Sequence, residues 1–197
     1  MSNILQPFQL PIYQSYIEED TFTKIKNDVS FYIEKNQKVF KDGWNSNTKT
    51  NINEKNILFK SKTLEKILEY NSIKYSKKWG FKNIQLGLNS YWINVAKKSS
   101  FQESHNHVET SPFTNVFSGI LYISTPTDCG DLCLESPNTL ASSLLPPNNI
   151  LPQLTCIKPK ERMLLLFPSW LGHFVKHNNS NKSRISLSWN IHYKSLN

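Results

Sequence analysis

Five side chains in the second half of the sequence are of types that bind metal or grip an anion, and their spacing groups them. His105 and His107 stand two apart in "FQESHNHVETS". On an extended backbone, residues two apart project to the same side, so these imidazoles can chelate one cation. His173 brings the imidazole count to three, enough for a mononuclear site with open coordination positions. Arg184 lies at the other end of "HFVKHNNSNKSRIS", with Ser186 two residues beyond it. If the seven residues "HNNSNKS" form the connection, His173 and Arg184 sit on neighbouring antiparallel strands and face one cavity. The chain has 21 lysines and only two arginines. A guanidinium at this position is therefore a specific choice, because its planar fork binds a carboxylate in a way that Lys cannot reproduce. Ser186 points the same way as Arg184 and can add a hydroxyl to that carboxylate. His177, toward the Asn-rich turn, reads as a solvated turn residue.

The final run "RISLSWNIHY" shows how such groups are presented. Arg184, Ser186, Ser188, Asn190 and His192 alternate with Ile185, Leu187, Trp189, Ile191 and Tyr193, giving a strand with one polar and one apolar face. Upstream, "IQLGLNSYWINVA", "VFSGILYIS", "DLCLES" and "RMLLLFPS" are short β-rich runs separated by Pro, Gly, Asn and Ser tracts. The stretch "SPNTLASSLLPPNNILPQ" reads as a long loop. Earlier still, Phe22, Ile25, Val29, Tyr32 and Ile33 recur at helical spacing within 18–40, and Leu64, Ile67, Leu68 and Tyr75 do so within 61–79. Helices first and strands afterwards predict helices packed on a mainly antiparallel sheet or barrel. The expected organisation is one domain over 1–197, with a helical buttress at 1–83 and a β core at 84–197.

Size and composition bound the function. A chain of 197 residues with 38% hydrophobic and 12% aromatic content is too apolar for disorder and long enough to bury a core without staples. No run approaches the length of a membrane span, and the N-terminus lacks the features of a secretion signal, so the expectation is a soluble cytoplasmic protein. Residues 1–100 carry 16 lysines against nine acids, while the rest is nearly balanced. The lysines are scattered, so they read as solvated helical faces and give only weak support for nucleic acid. Cys129, Cys133 and Cys156 are odd in number and have no C-x-x-C spacing, so neither a disulfide framework nor a zinc knuckle is signalled. A reducing compartment fits that pattern.

In order, the H-x-H pair, "SGILYI", "GDLCLESP", "FPSWLGHFV" and "RISLSWN" resemble the Fe(II)/2-oxoglutarate oxygenases of phages and marine bacteria, distant relatives of prolyl hydroxylases. The resemblance runs from about residue 84 to 193. It implies a mainly β double-stranded β-helix, or jelly roll, buttressed by N-terminal helices. It also implies Fe(II) on His105, His107 and His173, with Arg184 and Ser186 on the far carboxylate of the co-substrate 2-oxoglutarate. The activity implied is a dioxygenase that hydroxylates an unidentified substrate, working in the cytoplasm (the host's, if phage-encoded).

The wider superfamily usually carries Asp or Glu where His107 stands. Glu109, in "HVE", stays open as an alternative ligand. Tyr122, Phe167 and Trp170 are placed to line the cavity, although core packing serves Phe167 and Trp170 as well, and Asn94 is placed to touch a ligand or to serve a turn. Two other functions compete: a cupin-like three-histidine enzyme that uses no 2-oxo acid, and a non-catalytic jelly-roll binding protein.

Overall fold

The computed structural model describes residues 10–53, 61–82, 85–108, 114–138, 140, 144, 146 and 152–194. Two helices stand where periodicity predicts them, α1 (Glu19–Lys35) and α2 (Lys62–Lys78). Ser61 caps α2, its hydroxyl accepting from the Leu64 amide at 3.4 Å and satisfying one of the free N–H groups of the first turn. Each helix buries its apolar stripe. Phe22, Ile25 and Val29 of α1 and Leu64, Leu68 and Tyr75 of α2 join one core. The lysines of α2 (Lys62, Lys66, Lys74, Lys77 and Lys78) are exposed, as a solvated helical face requires.

Eleven described strands form two antiparallel sheets: β1 (Tyr13–Tyr16), β2 (Lys41–Gly43), β3 (Thr48–Thr50), β4 (Gln85–Ala96), β5 (Gln102–His105), β6 (Asn115–Ser124), β7 (Leu132–Glu135), β8 (Leu154–Ile157), β9 (Met163–Pro168), β10 (His173–Val175) and β11 (Arg184–Lys194). The larger sheet runs β1-β9-β6-β11-β4-β3-β2 and the smaller β5-β10-β7-β8. This is the expected jelly roll with buttressing helices. Three of its strands, β1, β2 and β3, come from the region expected to form the helical buttress. They are too short to produce a periodic signal, and tertiary pairing makes them strands.

Alternation along β11 sorts two cores. Leu187, Trp189 and Ile191 pack against the helices, whereas the opposite face of β6 and β9 places Ile120, Tyr122, Met163, Leu165 and Phe167 between the sheets with Leu132, Leu134 and Val175. Gly119 makes room for Trp189, since a Cβ there would fall 2.2 Å from the indole ring. The polar face of β11 therefore looks into the protein, where Arg184, Ser186, Ser188 and Asn190 are all buried. Polar side chains placed inside a sandwich are the outline of a binding cavity.

Two expectations need correction. His173 and Arg184 are not on neighbouring strands: β10 pairs with β5 and β7, and β11 with β4 and β6. The connection between them crosses from one sheet to the other, and Asn178 anchors it by donating to Ala96 and Lys182 carbonyls at 2.8 and 2.9 Å. The cysteines also differ, because Cys133 and Cys156 form a disulfide and leave Cys129 free and buried. The two residues are direct register partners across β7 and β8, an adjacency that a separation of 23 residues conceals. The expectation of a reducing compartment thereby loses its main support. Most of the stretch read as a long loop lies outside the described residues, and no described helix is long and apolar enough to cross a membrane.

Candidate metal and co-substrate site

His105, His107 and His173 converge. One ring nitrogen from each lies within 4.8 Å of the others, and the ring centroids are 4.2 to 5.2 Å apart. Strand parity alone does not produce this. Cα pairing sets His105 against His173 and Gln102 against Val175, so β5 fits one extra residue between those pairs. That bulge turns both Gln102 and His105 to the cavity. His107 lies just past the end of β5, where its amide donates to the Ser169 carbonyl at 2.8 Å.

Each imidazole is fixed by an oxygen acceptor. Nδ1 of His105 donates to the Glu103 carbonyl at 2.7 Å, Nδ1 of His173 to the Leu171 carbonyl at 2.9 Å, and Nδ1 of His107 to Oδ1 of Asn190 at 2.7 Å. Asn190 Oδ1 also accepts from the Ser118 hydroxyl at 2.8 Å, and Ser118 lies 2.8 Å from the Ser169 hydroxyl. A proton held on Nδ1 leaves the Nε2 lone pair for a cation, as metal-binding histidines require. Burial holds the His107 pKa down at about 4 and that of His173 at about 3, and it lowers that of His105. At neutral pH all three are neutral donors. Three neutral imidazoles, one buried and two half-buried, with no carboxylate in the described cluster, fit a divalent transition metal such as iron.

Each ring also has an aromatic neighbour. Trp44 lies 4.2 Å from His105, Trp92 5.8 Å from His107, and Phe167 4.8 Å from His173, centroid to centroid. These rings displace water from the metal end. Trp44, on the turn between β2 and β3, and Trp92, on β4, went unnoticed in the sequence, as did the role of Asn190. Asn190 and Trp92 share inward parity with Arg184 and Asn94, a signal available once the inner face is known. Nothing in the sequence around Trp44 carries such a signal.

Arg184, on the inward face of β11, is 3% exposed, and one of its terminal nitrogens donates to the carbonyls of Cys129 and Gly130 at 2.7 and 3.2 Å. Gly130 has φ +86, and a Cβ there would fall 2.2 Å from the Lys176 carbonyl, so the loop that receives Arg184 needs glycine. Desolvation by burial lowers the Arg184 pKa. Ser186 is buried and pairs in register with Asn94 on one side and Tyr122 on the other. Burial pushes the Tyr122 hydroxyl pKa well up, so it is a neutral donor. Asn94 lines the cavity, its amide donating to the Ser188 hydroxyl at 3.3 Å. Trp170, expected to line the cavity or pack in the core, is 47% exposed instead, because the turn after β9 carries it outward. His177 is exposed, as expected, and its ring lies 4.7 Å from that of Phe101. Glu109 lies outside the described residues.

A jelly roll with a three-histidine metal site inside it defines the class. The profile of a family described as "Putative 2OG-Fe(II) oxygenase" matches residues 90–190. The chain belongs to that family, and it is an Fe(II)- and 2-oxoglutarate-dependent oxygenase. No curated protein matches its sequence.

Solved structures share the fold. A prolyl-4-hydroxylase from Pseudomonas putida is similar over 94% of both chains at 12% identity, with a TM-score of 0.63. The viral collagen prolyl hydroxylase of Paramecium Bursaria Chlorella virus-1 is similar over 92% of this chain and 95% of its own, at 13% identity and a TM-score of 0.59. The α-ketoglutarate-dependent epimerase SnoN of nogalamycin biosynthesis is similar over 93% of this chain and 78% of its own, at 11% identity and a TM-score of 0.68. Hydroxylases and an epimerase on one fold show that the fold leaves the reaction's outcome open.

Proposed function

We propose that His105, His107 and His173 hold Fe(II), that Arg184 with Ser186 and the Tyr122 hydroxyl takes the distal carboxylate of 2-oxoglutarate, and that the reaction hydroxylates an as yet unidentified substrate. Iron, when bound, would supply the redox chemistry by which dioxygen oxidises both partners, one oxygen atom entering succinate as 2-oxoglutarate loses carbon dioxide and the other entering a substrate C–H bond. The protein's tasks are to bind, to orient and to keep water out. Nδ1 protonation aims three Nε2 lone pairs inward, and Phe167, Trp44 and Trp92 shield that end.

The observation that carries the proposal is the state of Arg184. Among the described residues no carboxylate lies within ion-pair distance of it, although it is almost wholly buried. A buried charge without a counter-charge is costly, and an entering carboxylate removes that cost. The two backbone carbonyls occupy one terminal nitrogen only, so the other donors of the guanidinium remain for a ligand.

The test is succinate release by anaerobically iron-loaded protein after addition of 2-oxoglutarate and then dioxygen. Slow uncoupled release that needs iron and is lost in Arg184→Ala is the expected result. No release at all in a fully loaded preparation counts against the assignment. Glu109→Gln addresses the ligand set: near-normal iron binding eliminates the carboxylate version, and loss of iron eliminates the three-histidine one.

A further inference from the structure

Burial strands four polar side-chain atoms around the cavity without a partner among the described residues: Nε1 of Trp44, Nε1 of Trp92, Oδ1 of Asn94 and the Tyr122 hydroxyl. Buried polar atoms are normally satisfied, so each such atom calls for an explanation. Their positions divide them. Trp44 and Trp92 lie against the rings of His105 and His107, whereas the Tyr122 hydroxyl feels the charge of Arg184 at the opposite end. The cavity lining also includes Ile120, Leu132 and Val175 beside the polar Asn94, Gln102 and Ser188.

Trp44 shows the arrangement is imposed on the chain. Its φ is +63, a left-handed conformation that bulky aromatic residues rarely adopt. The turn is held there by its neighbours. The Asn45 amide and side chain donate to the Glu103 carboxylate at 3.1 Å each, and the Ser46 hydroxyl donates to the Phe101 carbonyl at 2.6 Å. Glu103 is also the residue whose carbonyl fixes His105. Strain at a residue that carries an unsatisfied donor against a metal-facing imidazole marks a functional position. Trp92 needs no strain, since β4 parity already points it inward, and it is 4% exposed.

We propose that the indole N–H groups of Trp44 and Trp92 position the metal-end carboxylate of the 2-oxo acid, opposite the end that Arg184 takes. This rests on the oxygenase assignment above. An indole N–H only donates, so its partner must offer lone pairs, and in an enclosed site such a donor favours an anionic oxygen. Donors at the two ends match a molecule that has oxygens at both ends.

The experiment loads the protein with Zn(II), which is redox-silent and diamagnetic, and titrates 2-oxoglutarate and oxalate by calorimetry. Oxalate reports on the metal end alone. Trp44→Phe and Trp92→Phe each keep a ring and delete the N–H. Each is expected to weaken both ligands about 5- to 20-fold with Zn(II) affinity unchanged, while Arg184→Ala weakens 2-oxoglutarate and spares oxalate. In the wild type, two indole N–H resonances should move downfield on addition of oxalate, a measurement that depends on no variant.

Unchanged affinities in both Phe variants, or unmoved indole resonances, overturn the proposal alone. So does a loss of Zn(II) affinity in the Phe variants, which would assign the indoles to supporting the imidazoles. A wild-type protein that takes up Zn(II) but neither ligand overturns this proposal together with the assignment beneath it.

Discussion

The two ends of the cavity follow opposite plans. At the metal end, three imidazoles are kept neutral by burial, each has its outer nitrogen bonded to an oxygen, and each lies against an aromatic ring. Such an end accepts a cation. At the other end, a single guanidinium donates to two backbone carbonyls and has no carboxylate within ion-pair distance among the described residues, which suits it to the anion proposed above. The contrast teaches that loading of the two ends is separable: cation uptake should not depend on Arg184, while binding of a 2-oxo diacid should depend on both.

The largest expected effect separates the ends completely. His173→Ala should abolish metal retention, measured by elemental analysis of the purified protein, while the circular dichroism spectrum stays that of the wild type. Stoichiometric iron in that variant would mean the cation is held by other groups. Arg184→Ala should do the reverse, keeping full metal stoichiometry while 2-oxoglutarate binds on the order of 30- to 1,000-fold more weakly. That range corresponds to roughly 2 to 4 kcal/mol for a charge-assisted bidentate contact. An unaltered dissociation constant would dissolve the contrast between the ends.

A smaller change probes support within the metal end. Asn190→Leu removes the acceptor that fixes His107, and metal affinity should fall roughly 10- to 100-fold. Asn190→Asp, whose carboxylate still accepts from Nδ1, should retain more of it. Equal affinities across these variants in a competitive chelator titration would show that packing alone aims His107.

The smallest effect is a slope. The folded-state pKa values of His107 and His173 lie below the ordinary histidine value, so the unfolded chain takes up protons first as pH falls. The metal-free protein should therefore hold its full stability above about pH 6.5 and lose it as pH drops toward 4, by up to ~1.4 kcal/mol per pH unit for each of these two residues. Urea midpoints at a series of pH values measure this, and a flat profile from pH 6.5 to 5 would contradict neutral buried rings.

Much of this was readable in the sequence, for physical reasons that differ by region. Both helices announce themselves because their apolar stripes repeat over 17 residues each, and β11 because its alternation is strict. The histidines and Arg184 stand out by residue type. What stayed hidden depends on pairing between distant segments. The crossing of His173 and Arg184 onto different sheets, the bulge that aims His105, and the Cys133–Cys156 adjacency are properties of register, and no local window contains them. Strands of three residues, such as β2 and β3, are shorter than any period that could reveal them, so the turn that carries Trp44 was invisible.

The place of β11 in the larger sheet also bears on how the chain assembles. It comes last among the described strands in chain order, yet it lies in the interior of the sheet between β4 and β6. Until it inserts, two long strands present bare hydrogen-bonding rims that invite association with other chains. Arg184 and Asn190 arrive on that same strand. Nascent protein should therefore be most prone to self-association, and unable to capture its ligands, until this closing segment is in place.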